Sequence, residues 1–63
     1  MEPSELRAWQ TRMELRTGEA AEALGSSLSG FSHWLSGRRR IPKTVEVLCR
    51  ILEQLRIDAE RAA

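Results

Sequence analysis

The side chains best suited to bind another molecule are concentrated between Ser27 and Lys43. Ser29, Ser32, His33 and Ser36 recur at spacings that place them on one side of a helix turning about 100° per residue. They present three hydroxyls and one imidazole, all short donors and acceptors of hydrogen bonds. A face that only meets water ordinarily carries Glu, Lys or Gln, which favour helix and solubility. Short neutral groups instead suit close approach to a second surface. Three serines and Gly30 together lower intrinsic helicity by about 2 kcal/mol relative to alanine, a cost that makes sense if the face is used. Arg38, Arg39, Arg40 and Lys43 follow directly, with no acidic residue anywhere from 26 to 45. Such a run matches phosphates or another polyanion.

The formal net charge of +1 hides this polarity. Residues 1–25 set three arginines against five glutamates, residues 26–45 hold four cations and no acid, and residues 46–63 set three arginines against four acids. Other chemistry is poorly served. One His and one Cys cannot form a zinc site or a disulfide framework from a single copy. There is no Gly-rich phosphate loop, and 63 residues leave little volume for a water-excluding pocket. Neither an enzyme nor a bound cofactor is expected. No apolar run approaches the roughly 18 residues of a membrane span, and the first residues lack the apolar stretch of a signal peptide. The expectation is a cytoplasmic protein without membrane association.

The elements that must position these residues are helices. The length fits a single domain over 1–63, and only 5% of residues are aromatic while Gly and Pro fall at discrete places. The first helix is predicted from Pro3-Ser4, with Ser4 as its cap and Leu6, Trp9 and Met13 as its apolar stripe over about ten residues. Thr17 is a candidate cap for a second helix through Ala20, Ala21, Ala23 and Leu24, which Gly25 ends. Ser26-Ser27 caps a third helix over Leu28–Ser36, stopped by Gly37, with Leu28, Phe31, Trp34 and Leu35 within an arc of about 120° as its core face. Arg38 to Ile41 form a loop. Pro42 opens the first turn of a last helix over about 42–60, with fraying near Ala62-Ala63.

That last helix carries Val45, Leu48, Leu52, Leu55, Ala59 and Ala62 at helical spacing, and Val47, Ile51 and Ile57 widen the apolar surface on a neighbouring flank. A chain this short hides only about 60% of the surface its unfolded form exposes. The surplus predicts a homodimer with Val47, Ile51, Leu55 and Ile57 at its interface.

Two short helices joined by a turn of about three residues, with small Ala21 on the first, describe a helix-turn-helix over about 17–36. Here the sequence resembles the Cro/CI-type (XRE) helix-turn-helix family. The resemblance lies in Glu19-Ala20-Ala21-Glu22-Ala23-Leu24-Gly25, in Phe31 and Trp34, and in Ser36-Gly37-Arg38-Arg39-Arg40-Ile41-Pro42, and it covers roughly residues 5–56. It implies an all-α fold, a compact four- to five-helix bundle of lambda-repressor-like form. It also implies a sequence-specific regulator of transcription that binds double-stranded DNA, a dimeric repressor of its own or another promoter on an inverted-repeat operator. With the third helix in the major groove, Leu28, Ser29, Ser32 and His33 face bases, while Thr17, Ser27, Ser36, Arg38, Arg39, Arg40 and Lys43 face phosphates. The family frequently pairs an Arg of its first helix with a Glu late in its third; the matching residues here are Gln10 and Leu35, so both halves of that pair are replaced together. The alternative is a protein-interaction module, an antitoxin or assembly component that docks through the last helix.

Overall fold

Four α-helices follow one another in the computed structural model, which describes residues 1–62: α1 (Pro3–Arg12), α2 (Thr17–Ala23), α3 (Leu28–Ser36) and α4 (Lys43–Ala62). The described residues contain no strand, and four is the lower of the expected helix counts. Ala62 is still helical, and the fraying expected at Ala63 lies outside the described residues.

Local chemistry sets each boundary. Pro3 occupies the first helical position, where a missing N–H is harmless, and the Glu5 carboxylate accepts the Glu2 N–H at 2.8 Å. Glu2 is therefore the cap, and Ser4, expected in that role, lies inside the first turn. The same device recurs at α2. Arg16 stands at the cap and donates its N–H to Glu19 at 2.8 Å, so Thr17 is already helical rather than capping. The expected hydroxyl cap does form at α3, where Ser27 Oγ accepts the Gly30 N–H at 3.0 Å. Pro42 stands one residue before α4, its carbonyl accepting from Val45 and Glu46, rather than within the first turn.

The turns between helices are tight. Gly25, at φ 68°, donates to the Glu22 carbonyl at 3.0 Å, and Ser26 donates to Ala21 at 2.8 Å; this doubly bonded helix end requires a left-handed residue. The same pattern ends α1, with Glu14 donating to Thr11 and Leu15 to Gln10, except that the left-handed residue is Glu14 at φ 57°.

The core gathers one face of every helix. Leu6, Trp9, Phe31 and Cys49 are completely enclosed, and Ala20, Ala21, Leu24, Ile41 and Val45 complete the buried set. Small Ala20 and Ala21 let α2 lie close over α3. Trp9 donates its indole N–H to the Cys49 carbonyl at 3.0 Å, and Trp34 meets Phe31 edge-on with centroids 6.3 Å apart. Leu28, expected on the core face, stands outside it at 57% exposure.

A polar clasp fastens α4 to α1. Arg12 grips Glu53 with two hydrogen bonds of 2.6 and 3.0 Å. Arg56 reaches back to the Arg12 carbonyl at 3.2 Å and pairs with Glu14. The core ends near Leu52, whereas α4 runs on to Ala62. Its final turns project, and the extents of 39 × 20 × 18 Å are those of a bundle with a protruding rod rather than of an evenly compact one.

Candidate nucleic-acid interface

The orientation of α3 follows from its two ends. The Gly25-Ser26 turn and the Ser27 cap fix where it begins; Gly37, at φ 81°, ends it, donating to the Trp34 carbonyl at 3.3 Å. Phe31 commits the inner side to the core, with Trp34 and Leu35 half-buried beside it. The opposite side then faces outward. Ser29, Ser32 and Ser36 are exposed there, His33 is half-buried, and Leu28 stands free at the N-terminal end. The structure thus brings the four expected base-facing residues to one surface.

Their hydrogen-bonding capacity is mostly unspent. No side-chain hydrogen bond among the described residues uses Ser29 or Ser32. Ser36 Oγ donates to the His33 carbonyl at 3.2 Å and keeps its lone pairs.

The expected phosphate-facing residues divide by how free they are. Arg38, Arg39 and Arg40 are exposed and enter none of the ion pairs among the described residues. Lys43 is exposed, but its ammonium lies 2.7 Å from Glu46. Glu46 also faces the N-terminal ammonium at 3.1 Å and Arg50 at 3.8 Å. The Lys43 hydrogen bond, then that of the N-terminal ammonium, holds the Glu46 carboxyl down at about 2. Ser27 spends its oxygen on the Gly30 N–H, and the Thr17 hydroxyl accepts from Gln10 Nε2 at 3.3 Å. Gln10 also donates to the Leu15 carbonyl, so it braces the α1–α2 turn.

Elsewhere the chemistry is quiet. A hollow of about 200 Å³ between α1 and α4 is floored by Trp9 and Cys49 and rimmed by Glu46, Glu53 and Arg12, already paired as described. Burial first, and the nearby Glu53 and Glu46 charges second, push the Cys49 thiol up to about 11, so it is protonated at neutral pH. No group of three or more His, Cys, Asp or Glu among the described residues could hold a metal ion. The arrangement can form hydrogen bonds with a surface pressed against α3 and neutralise anions beside it.

Sequence reasoning missed the Arg12–Glu53 and Arg56–Glu14 clasp, whose partners lie about forty residues apart. No local spacing could have revealed it.

The family model described as a helix-turn-helix domain, a family of XRE-type DNA-binding domains, matches residues 4–63. No curated protein and no solved structure matches the chain.

Proposed function

Because the chain belongs to the XRE-type helix-turn-helix domain family, whose members bind DNA, we propose that it is a sequence-specific regulator of transcription, a dimeric repressor acting on an inverted-repeat operator. One observation carries this reading: the inner side of α3 is committed to the core while its outer side offers unspent hydroxyls and an imidazole. In this reading α3 lies in the major groove with Leu28, Ser29, Ser32 and His33 towards base edges. Arg38, Arg39 and Arg40 reach the flanking phosphates, aided by Ser36, Ser27, Thr17 and, more weakly, the paired Lys43. The domain occupies 1–63, with the helix-turn-helix at about 17–36. Its action is occupancy of a promoter, its own included, rather than catalysis, in the cytoplasm. No helix among the described residues is long and apolar enough to cross a membrane.

The dimer part of the reading is supported by α4. Val47, Ile51, Leu55 and Ile57 expose 42, 50, 60 and 38% of their surface, a run of large apolar groups on one rod. Two-fold pairing there would set two α3 helices about one turn of duplex apart. The same flank favours a second reading, a module that captures another protein through α4.

Selection of bound sites from random duplexes, with light scattering of the free chain, tests both. Enrichment of a palindrome together with a dimer mass supports the regulator. A monomer that enriches no site refutes it in favour of the protein-binding module.

A further inference from the structure

We propose that Leu28 is a specificity-determining residue that reads the C5 methyl group of a thymine, one in each half-site; this rests on the DNA-binding reading above. Leu28 is the first residue of α3, and its backbone is held by the Ser27 cap and the Gly25-Ser26 turn. The residue is 57% exposed, while Phe31, three residues on, is wholly buried. Its exposed neighbours on the helix are Ser29 and Ser32, so one apolar group stands alone among hydroxyls. The other large exposed hydrophobics among the described residues all lie on α4. Leu28 is therefore part of the outward surface of α3, at the end where a recognition helix first meets base edges.

The chemistry narrows what it can recognise. Leucine has neither donor nor acceptor, and thymine's methyl is the apolar group a major-groove edge of unmodified DNA presents. Over cytosine, Leu28 would cover the N4 donor and leave it unpaired; over guanine it would do the same to N7 and O6. Thymine also has a polar atom there, the O4 acceptor, but it alone adds a methyl that Leu28 removes from water. Discrimination comes from both the methyl gained and the polar edges refused. The serines beside it offer one hydroxyl each and cannot make the two-pronged contacts of Arg, Asn or Gln, which gives the methyl contact a large share of the selectivity.

The test uses the full chain on a duplex selected for binding. Each thymine is replaced singly by deoxyuridine, which deletes only the methyl. At one position in each half-site the affinity should fall by about fourfold per methyl. With a cytosine·guanine pair at that position, 5-methylcytosine should bind more tightly than cytosine. Leu28→Ala should bind the thymine and deoxyuridine duplexes equally, with an unchanged salt dependence. Indifference to every methyl, or a deoxyuridine penalty that persists in Leu28→Ala, would overturn the assignment while leaving DNA binding intact. A chain that binds no duplex even at low salt would overturn the DNA reading, and this assignment with it. The deoxyuridine and 5-methylcytosine arms use the unaltered protein, so they do not depend on the variant's folding.

Discussion

Replacing Arg39 by alanine should flatten the salt dependence of duplex binding, whereas replacing Lys43 should change it much less. Both residues are exposed cations that follow α3 in the chain, Arg39 in the loop and Lys43 at the start of α4, and charge counting would treat them alike. The structure separates them. Arg39 has no ionic partner among the described residues, while the Lys43 ammonium lies 2.7 Å from a carboxylate that also faces the N-terminal ammonium. Each phosphate neutralised contributes about −0.9 to the slope of log affinity against log salt. In the proposed dimer, losing Arg39 twice makes the slope shallower by about 1.8, which is about 12-fold across a fourfold change in salt. Lys43 already has a counter-charge, so Lys43→Ala should move the slope by less than about half as much. Glu46→Gln should free Lys43 and steepen the slope. Fluorescence anisotropy titrations of a labelled operator at several salt concentrations measure all three. Equal flattening by Arg39→Ala and Lys43→Ala would refute the reasoning, as would an Arg39→Ala slope identical to that of the unaltered chain.

Stability responds to other residues. Phe31→Ala should cost about 3–5 kcal/mol, most of the roughly 3–9 kcal/mol available to a chain this size, and a circular-dichroism melt should show little folded protein at body temperature. Gly25→Ala and Gly37→Ala meet open space or ordinary contact, so their cost is the left-handed backbone alone, about 1–2 kcal/mol each. Gly18→Ala meets nothing within 4 Å and should stabilise α2 by up to about 1 kcal/mol; urea unfolding measures all three. Glu46 is held at about 2 against an ordinary 4.5, and Arg12 lowers Glu53 too. The unfolded chain thus takes up these protons first, so stability is full above about pH 4.5 and is lost as pH falls towards 2. Unfolding midpoints across that range should show the fall, and Glu46→Gln should reduce it. The Cys49 thiol, buried and raised to about 11, should react with a thiol reagent slowly in the native protein and quickly in denaturant.

The helices were legible because their signals are local. Phe31, Trp34 and Leu35 mark the inner side of α3, and its bounds at Leu28 and Ser36 agree with those read from Ser27 and Gly37. The caps at Glu2 and Arg16 were not anticipated, because Ser4 and Thr17 are stronger capping types and only the backbone shows which residue sits outside the helix. Leu28 was ambiguous for a related reason: its angle on the helix borders both faces, and only its 57% exposure in the folded chain decides. The left-handed Glu14 carries no sequence signal, since glycine is the usual occupant, and it pairs with an arginine far along the chain. Lys43 differs: its partner Glu46 lies three residues on in the same helix, so spacing alone was enough to rank it below its arginine neighbours.

Among the described residues, the side-chain hydrogen bonds and ion pairs that tie α4 to the rest of the molecule end on α1, its leading residues or the turn behind it, and none on α3. The protruding rod and the outward side of α3 are thus separately adjustable parts. In the proposed dimer, Leu55 and Ile57 can be changed to alter the mate while Glu53 and Arg56 keep the clasp and the surface built from Ser29, Ser32 and His33 is untouched, and the reverse holds as well. A small family of mutually indifferent variants could be made from this one chain by altering either part alone.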